Sequence, residues 1–568
     1  MPNIAARSFA LMCLTSAALL CSRPAHASWP ASPLVNVPVS TATGDQMFAR
    51  LIADGAGGVI VTWFDYRGGS TADIYAQRVS STGVPMWLAD GVPVCTASGN
   101  QTYPTLAPDG AGGAFITWND LRSGLKIYGQ HLGSDGTPQW AGDGIPLCTN
   151  AAGQQNPWVV ADGTGGALVT WLDSRNGWYA VCAQRVTAGG AFAWPADGVV
   201  LCDTTGYRYE PHLVSDGAGG AIVTWYDQRS GGNYTFDDVY ARRVSAAGVP
   251  QWTAQGVRLC TATGSQQTPV LVSDGLGGAI VTWFDGRASD FDIYAQRISG
   301  AGIAQWTGDG VALCTAAGEQ AYPSLVADGV GGAIVAWRDY RSGAEYDTYA
   351  QRISQAGSPQ WTPNGVVVCN ATGDQYDPAI VTDGSGGALV AWPDGRSGPL
   401  DMYAQRLSGA GVAQWAPNGV ALCTAAGMQN VVALVADGAG GAIAAWQDMR
   451  SGALDIFAQR IQGSGVLGGN VTDVPVRSDA AFGLSPAYPN PATGGTLSVQ
   501  FTLPDARAAT LELFDLAGRR ILARDVGLHG AGAHSVTVGA GRRLAPGVYL
   551  VRLAQGGRSA TVRVAIIG

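Results

Sequence analysis

QAYPSLVADGVGGAIVAWRDYRSGAEYDTYAQRIS, residues 320–354, contains two strands joined by a tight turn, and a third strand after a loop. Residues 320–327 form a short strand that ends at Asp328-Gly329-Val330-Gly331-Gly332. That pentad predicts a hairpin turn, because Asp-Gly and Gly-Gly accept the positive φ that such turns require. Residues 333–337 (AIVAW) are β-branched and apolar, as a buried strand should be. Residues 338–346 are a polar loop, and residues 347–354 alternate apolar and polar side chains, the period of a half-buried strand. A fourth strand follows at 365–369 (GVVVC), and no segment carries a helical period of useful length.

The same unit recurs along the chain. Asp-Gly-x-Gly-Gly begins at Asp54, Asp109, Asp162, Asp216, Asp274, Asp328, Asp383 and Asp437, with spacings from 53 to 58 residues. A period near 54 is too long for the common helical solenoids and suits a four-stranded propeller blade. The fourth strand follows its own repeat seven times, ending at Cys95, Cys148, Cys202, Cys260, Cys314, Cys369 and Cys423. Its eighth copy lies at the N-terminus instead, where Val37-Pro38-Val39-Ser40-Thr41 matches Val92-Pro93-Val94-Cys95-Thr96. An N-terminal strand that completes the last blade removes the free edge of a linear stack. The expected fold is therefore all-β: an eight-bladed β-propeller over residues 28–463, closed by an N-terminal strand. Residues 464–486 read as a linker, and residues 487–568 as a small Ig-like β-sandwich of short strands between Gly and Pro turns.

Composition agrees with this reading. The chain has 568 residues, of which 81 are glycine, only 13% are charged, and the formal net charge is −9. Glycine without a three-residue period excludes collagen, and the acidic balance excludes a typical nucleic-acid binder. Residues 1–27 read as a signal peptide, with Arg7, an apolar stretch over 8–21 and the Ala25-His26-Ala27 cleavage pattern. No other stretch is long and apolar enough to predict a transmembrane helix. Residues 472–568 hold ten Arg against six acids, so a basic tail follows an acidic body.

The tail carries Tyr488-Pro489-Asn490-Pro491, then Phe501-Thr502-Leu503-Pro504, then Leu513-Phe514-Asp515-Leu516-Ala517-Gly518-Arg519, and last Pro546-Gly547-Val548-Tyr549-Leu550-Val551-Arg552-Leu553. In that order these residues resemble the type A C-terminal sorting domain of the type IX secretion system. They are also similar to the related Ig-like domain of the flagellar hook-capping protein FlgD. The resemblance implies export through the periplasm, contact with the secretion machinery, and an extracellular or outer-surface location. Residues 488–491 are its sorting motif. The propeller repeats also resemble those of large secreted bacterial proteins, a likeness that implies an architecture and no activity.

Each repeat carries Trp-x-Asp-x-Arg, from Asp65/Arg67 to Asp448/Arg450. Eight equivalent pairs read as scaffolding, since chemistry needs an asymmetric constellation. The eight tryptophans of that motif read as core, the cysteines as buried small residues, and the Asp-Gly-x-Gly-Gly pentads as turns rather than calcium loops. No cofactor and no metal site is expected, and His131 and His212 are too few for a His-based centre. Function is sought where the repeat is broken. Trp178, Tyr179, Tyr207, Arg208, Tyr209, Tyr234 and Phe236 cluster in the third and fourth repeats. There Arg208 replaces the Gln read at 46, 101, 155, 266, 320, 375 and 429. Adjacent aromatics with a few charges suit a sugar or peptide platform. The expected function is an exported, non-enzymatic binding protein for a glycan, peptide or surface protein, with enzymatic activity left open. The alternatives are an extracellular polysaccharide hydrolase or lyase, and a purely structural surface module. Two carboxylates near the axis that break the eightfold pattern would favour the enzyme, and the sequence reading names no catalytic pair.

Overall fold

The computed structural model describes residues 28–229, 237–469, 483–484, 492–493, 497–503, 509–515, 517–526, 532–538, 544–556 and 558–567. Residues 1–27, read as a signal peptide, and Tyr234, Phe236 and the 488–491 motif lie outside the described residues. The chain divides into two compact units after position 470.

Every described strand of the first unit belongs to a four-stranded sheet, and eight such sheets occur among the described residues. We number them by their second strands: Val59–Asp65, Ala114–Asp120, Ala167–Asp173, Ala221–Asp227, Ala279–Asp285, Ala333–Asp339, Ala388–Asp394 and Ala442–Asp448. In sheet 6, Gln320–Ala327, Ala333–Asp339, Asp347–Ile353 and Val366–Cys369 pair antiparallel in chain order. The second strand is almost wholly buried because a neighbouring sheet covers each face. Its Trp337 packs with Phe284 and Trp306 of sheet 5 in one apolar cluster. The last sheet takes its fourth strand, Val37–Ser40, from the N-terminus, antiparallel to Asp455–Ile461. The strand complement read from the repeats is thus present.

The turn explains why the pentad recurs. Asp328 Oδ1 accepts from the backbone of Val330 and Gly332 at 2.9 and 2.8 Å, and Oδ2 accepts from Arg352 at 2.9 Å. A Cβ on Gly332 would sit 2.2 Å from the Ile353 carbonyl oxygen, so only glycine fits. Arg352 then donates to the Gly409 carbonyl at 2.9 Å, which ties sheet 6 to sheet 7.

The first strands carry the feature that builds the site. In sheets 1 to 6 and 8 their register shifts at the third residue, as between Met47 and Arg50 or between Tyr209 and His212. That residue has positive φ in each case: Phe48, Tyr103, Asn156, Glu210, Thr268, Tyr322 and Val431. A bulge of this kind re-aims one side chain relative to strict alternation. Sheet 7 departs, because its first regular strand begins only at Ala379–Thr382, preceded by a lone bridge from Gln375 to Asp394.

The second unit holds a three-stranded sheet of Gly483–Leu484, Leu497–Leu503 and Gly532–Val538. A five-stranded sheet orders Ala492–Thr493, Arg558–Ile567, Gly547–Gln555, Ala509–Asp515 and Arg520–Asp525. Phe501, Leu511, Leu513, Val551 and Val564 form part of its core. The strand Arg520–Asp525 is absent from the sequence reading. Its polar residues hide it, and the Asp515 carboxylate, accepting from the backbone of Ala517 and Arg519, closes the hairpin that creates it. No helix among the described residues is long and apolar enough to cross a membrane.

Candidate functional site

The Trp-x-Asp-x-Arg residues form a closed network. Asp339, fully buried, accepts from Trp337 Nε1 at 2.8 Å and from Arg341 Nε and Nη2 at 2.8 and 2.6 Å. Arg341 also lies 3.6 Å from the Tyr349 ring centre and donates to the Asn364 carbonyl. Sheets 1, 2, 5, 7 and 8 repeat the Trp–Asp–Arg arrangement, so these groups have no capacity left for chemistry. Cys95, Cys148, Cys260, Cys314, Cys369 and Cys423 are buried free thiols, and burial pushes each up to about 12, far from a reactive thiolate. Among the described residues no group of three His, Cys, Asp or Glu is placed to hold a metal ion.

The aromatic cluster anticipated in sheets 3 and 4 is brought together in part. Trp178 and Tyr207 are 39% and 37% exposed and meet edge to face, with ring centres 5.1 Å apart. Tyr207 lies 6.3 Å from both Tyr179 and Tyr209, and Tyr209 stacks on Tyr226 at 5.0 Å. Arg208 does not join this surface. It is fully buried, with Nε 3.2 Å from Asp227 and Nη1 donating to the Gly206 carbonyl, so it replaces the scaffold Gln rather than meeting a ligand. In sheet 3 that scaffold position is Gln154, opposite Asp173, one residue before the Gln155 read from the repeat.

The bulge residues mark a site that the sequence reading missed. Phe48, Tyr103, Asn156, Glu210, Thr268 and Tyr322, from sheets 1 to 6, line one cavity of about 390 Å³. Arg50, Thr105, Trp158 and His212, two residues further along their strands, line it too. Residues at this position fasten one sheet to the next. Thr105 Oγ1 donates to the Pro157 carbonyl at 3.3 Å, and Ser324 Oγ to that of Pro378 at 2.7 Å. His212 Nδ1 lies 2.9 Å from the Pro269 carbonyl oxygen and Trp158 packs edge-on to its ring at 4.3 Å. Burial lowers the His212 pKa, which keeps the ring neutral near pH 7, so Nδ1 is the donor there.

Two carboxylates break the repeat at this position. Glu210 sits at the bulge of sheet 4, and Asp377 is its counterpart in sheet 7, two residues after the scaffold Gln375. Burial raises the Glu210 carboxyl above its ordinary value, opposed by the Thr268 hydroxyl, and its Oε2 has no hydrogen-bond partner. Asp377 pairs with Arg338 at 3.3 Å; desolvation raises its carboxyl and Arg338 opposes the shift. Arg338 lies over the ring of Tyr322 at 4.2 Å, and Tyr322 lines the cavity that holds Glu210. A carboxyl whose pKa is raised by burial holds its proton to higher pH and can donate it, and a carboxylate beside a guanidinium can accept one or attack carbon.

Residues 486–567 match the family described as the secretion system C-terminal sorting domain. The chain therefore ends in a type IX sorting domain, which indicates export, a cell-surface or extracellular location, and interaction with the secretion machinery. Among solved structures, the chain is similar to a GH93 α-L-arabinofuranosidase of Fusarium graminearum in complex with arabinobiose. The identity is 11%, the TM-score 0.33, and the match covers 76% of this chain and 98% of that one. It is also similar to a protein of unknown function from Dyadobacter fermentans, with 11% identity, TM-score 0.35 and coverage of 55% and 96%. An endo-arabinase from Bacteroides thetaiotaomicron shows 11% identity, TM-score 0.28 and coverage of 56% and 97%. No curated protein matches the chain. The expectation of a non-enzymatic binding protein is corrected here: the similar solved structures include glycoside hydrolases. Glu210 and Asp377 are two carboxylates that break the eightfold pattern at one repeat position.

Proposed function

We propose that this chain is an exported polysaccharide hydrolase built on a closed eight-bladed propeller over residues 28–463. A signal peptide (1–27) would precede it, and a linker (464–486) and the sorting domain (487–568) would follow. Closure is supported by contacts between the first and last sheets. Gln46 N donates to the Leu454 carbonyl at 2.6 Å, Leu454 N to Asp45 at 2.9 Å, and Phe48 N to Gln447 at 2.6 Å. The observation that carries the catalytic reading is the occurrence of Glu210 and Asp377 at one repeat position where six other sheets have Phe, Tyr, Asn, Thr, Tyr and Val. Glu210 gives its proton to the leaving glycosidic oxygen as the bond to the anomeric carbon breaks. Asp377 is the partner carboxylate, taking the proton of an attacking water or itself attacking that carbon. Trp178, Tyr179, Tyr207 and Tyr209 continue from Glu210 as a sugar-stacking platform. The test is reducing-end release from a panel of polysaccharides by the full chain, by Glu210→Gln and by Asp377→Asn. Release abolished by either variant supports the reading. Release unaffected by both variants, or no release from any polysaccharide, overturns it. Ultraviolet-absorbing unsaturated products would assign a lyase instead.

A further inference from the structure

The cavity wall carries one cation that no part of the described protein neutralises. Four residues after the scaffold Gln, or Arg208 in sheet 4, the sheets place Arg50, Thr105, Trp158, His212, Val270, Ser324, Ala379 and Ala433. Thr105, His212 and Ser324 each bond to the proline carbonyl of the following sheet. Arg50 makes no such bond to Pro104, and its guanidinium has no hydrogen-bond or ion-pair partner among the described residues. This contrasts with the paired arginines of the blade scaffold, each set against an aspartate at 2.6 to 2.9 Å in sheets 1, 6 and 7. Arg50 is exposed to the solvent of the cavity, and the protein around it lowers its pKa by desolvation. Burial lowers the His212 pKa, so His212 adds no charge beside it, and no carboxylate among the described residues makes an ion pair with Arg50. A guanidinium presented unpaired on a cavity wall among aromatic faces is free to take an anion, and its planar fork fits carboxylate and sulfate oxygens.

We infer that Arg50 forms an anion-binding subsite in the central cavity, and that the glycan taken there is acidic, bearing a uronate carboxylate or a sulfate ester. This rests on the hydrolase reading for its substrate's being a glycan. The aromatic residues Tyr103, Trp158 and Tyr322 supply stacking faces around the subsite, and Arg50 supplies the charge selection.

The test measures binding by calorimetry on the full chain, separately from turnover. Its probes are tetragalacturonate, its neutral methyl ester, and a sulfated galactan oligosaccharide of matching length. The expected result is at least tenfold tighter binding of one acidic probe than of the neutral ester. That preference is lost in Arg50→Gln and largely kept in Arg50→Lys. The carboxylate and sulfate arms identify which anion is taken. Equal binding of all three probes, no binding of any, or a preference that survives Arg50→Gln with an unchanged thermal melt overturns the inference. Turnover of neutral polysaccharide without charge preference would sink this subsite and leave the hydrolase standing. Charge-selective binding without turnover of any polysaccharide would do the reverse.

Discussion

Glu210 and His212 lie two residues apart on one strand and are shifted by the same cause, burial, in directions that both favour the uncharged form. For Glu210 this sets a pH prediction. Its protonated, proton-donating form persists above the ordinary carboxyl value of about 4.3 and is lost as pH rises through the raised value. Hydrolysis should therefore fall on the alkaline side, and Glu210→Gln should lower kcat by about 10²–10⁴ while removing that limb of the pH–rate profile. A second set of carboxylates governs stability. Asp73, Asp292 and Asp347 begin third strands, and burial together with the facing Asp65, Asp285 and Asp339 raises each to about 6. A raised acid binds its proton more tightly when folded, so its contribution is full below about 3.9 and declines as pH rises to about 6. Thermal melts should accordingly be higher at pH 5 than at pH 7.5, and Asp292→Asn should reduce the difference. Equal melting at the two pH values in the parent chain would refute the assignment. None of these shifts was legible in the sequence, because burial and the opposite residue of a ladder are products of folding.

At the scale of the element, the pentad turn and the tryptophan strand were readable from local chemistry. Gly332 is required by the Ile353 carbonyl oxygen only 2.2 Å from where its Cβ would be. Trp337 is fully buried between two sheets. Trp337→Ala should cost about 3–5 kcal/mol in chemical denaturation, the range for deleting a large aromatic from a core. The first strand was read less well, for a definite reason. Period-two alternation puts its third residue on the same side as the scaffold Gln, which is buried. The bulge overrides that alternation and turns Phe48, Tyr103 and Glu210 toward the cavity. The two carboxylates were visible as letters in the repeat, but the turn of the strand that brings Glu210 to the cavity was not. Arg208 shows the converse: an apparent surface departure proves to be a buried substitute for Gln, held by Asp227.

For the whole molecule, the last sheet depends on Val37–Ser40, whose partner strand lies more than 400 residues away in the chain. Deleting residues 28–41 should expose the edge of Asp455–Ile461 and produce association or a lower melting temperature, seen by light scattering and calorimetry. Deleting residues 486–567 should leave the propeller folded and retain it in the cell, checked by fractionation of the producing bacterium. By itself the sequence determined the all-β class, the repeating four-stranded unit, the displaced strand and the sorting tail. Those follow from turn chemistry, alternation and counting, which are local or periodic properties of a chain. Only the tertiary structure decided that Arg50, Glu210 and Tyr322, up to 272 residues apart, share one cavity. That convergence depends on where successive bulged strands point once the sheets have packed, and no local pattern encodes a direction in space.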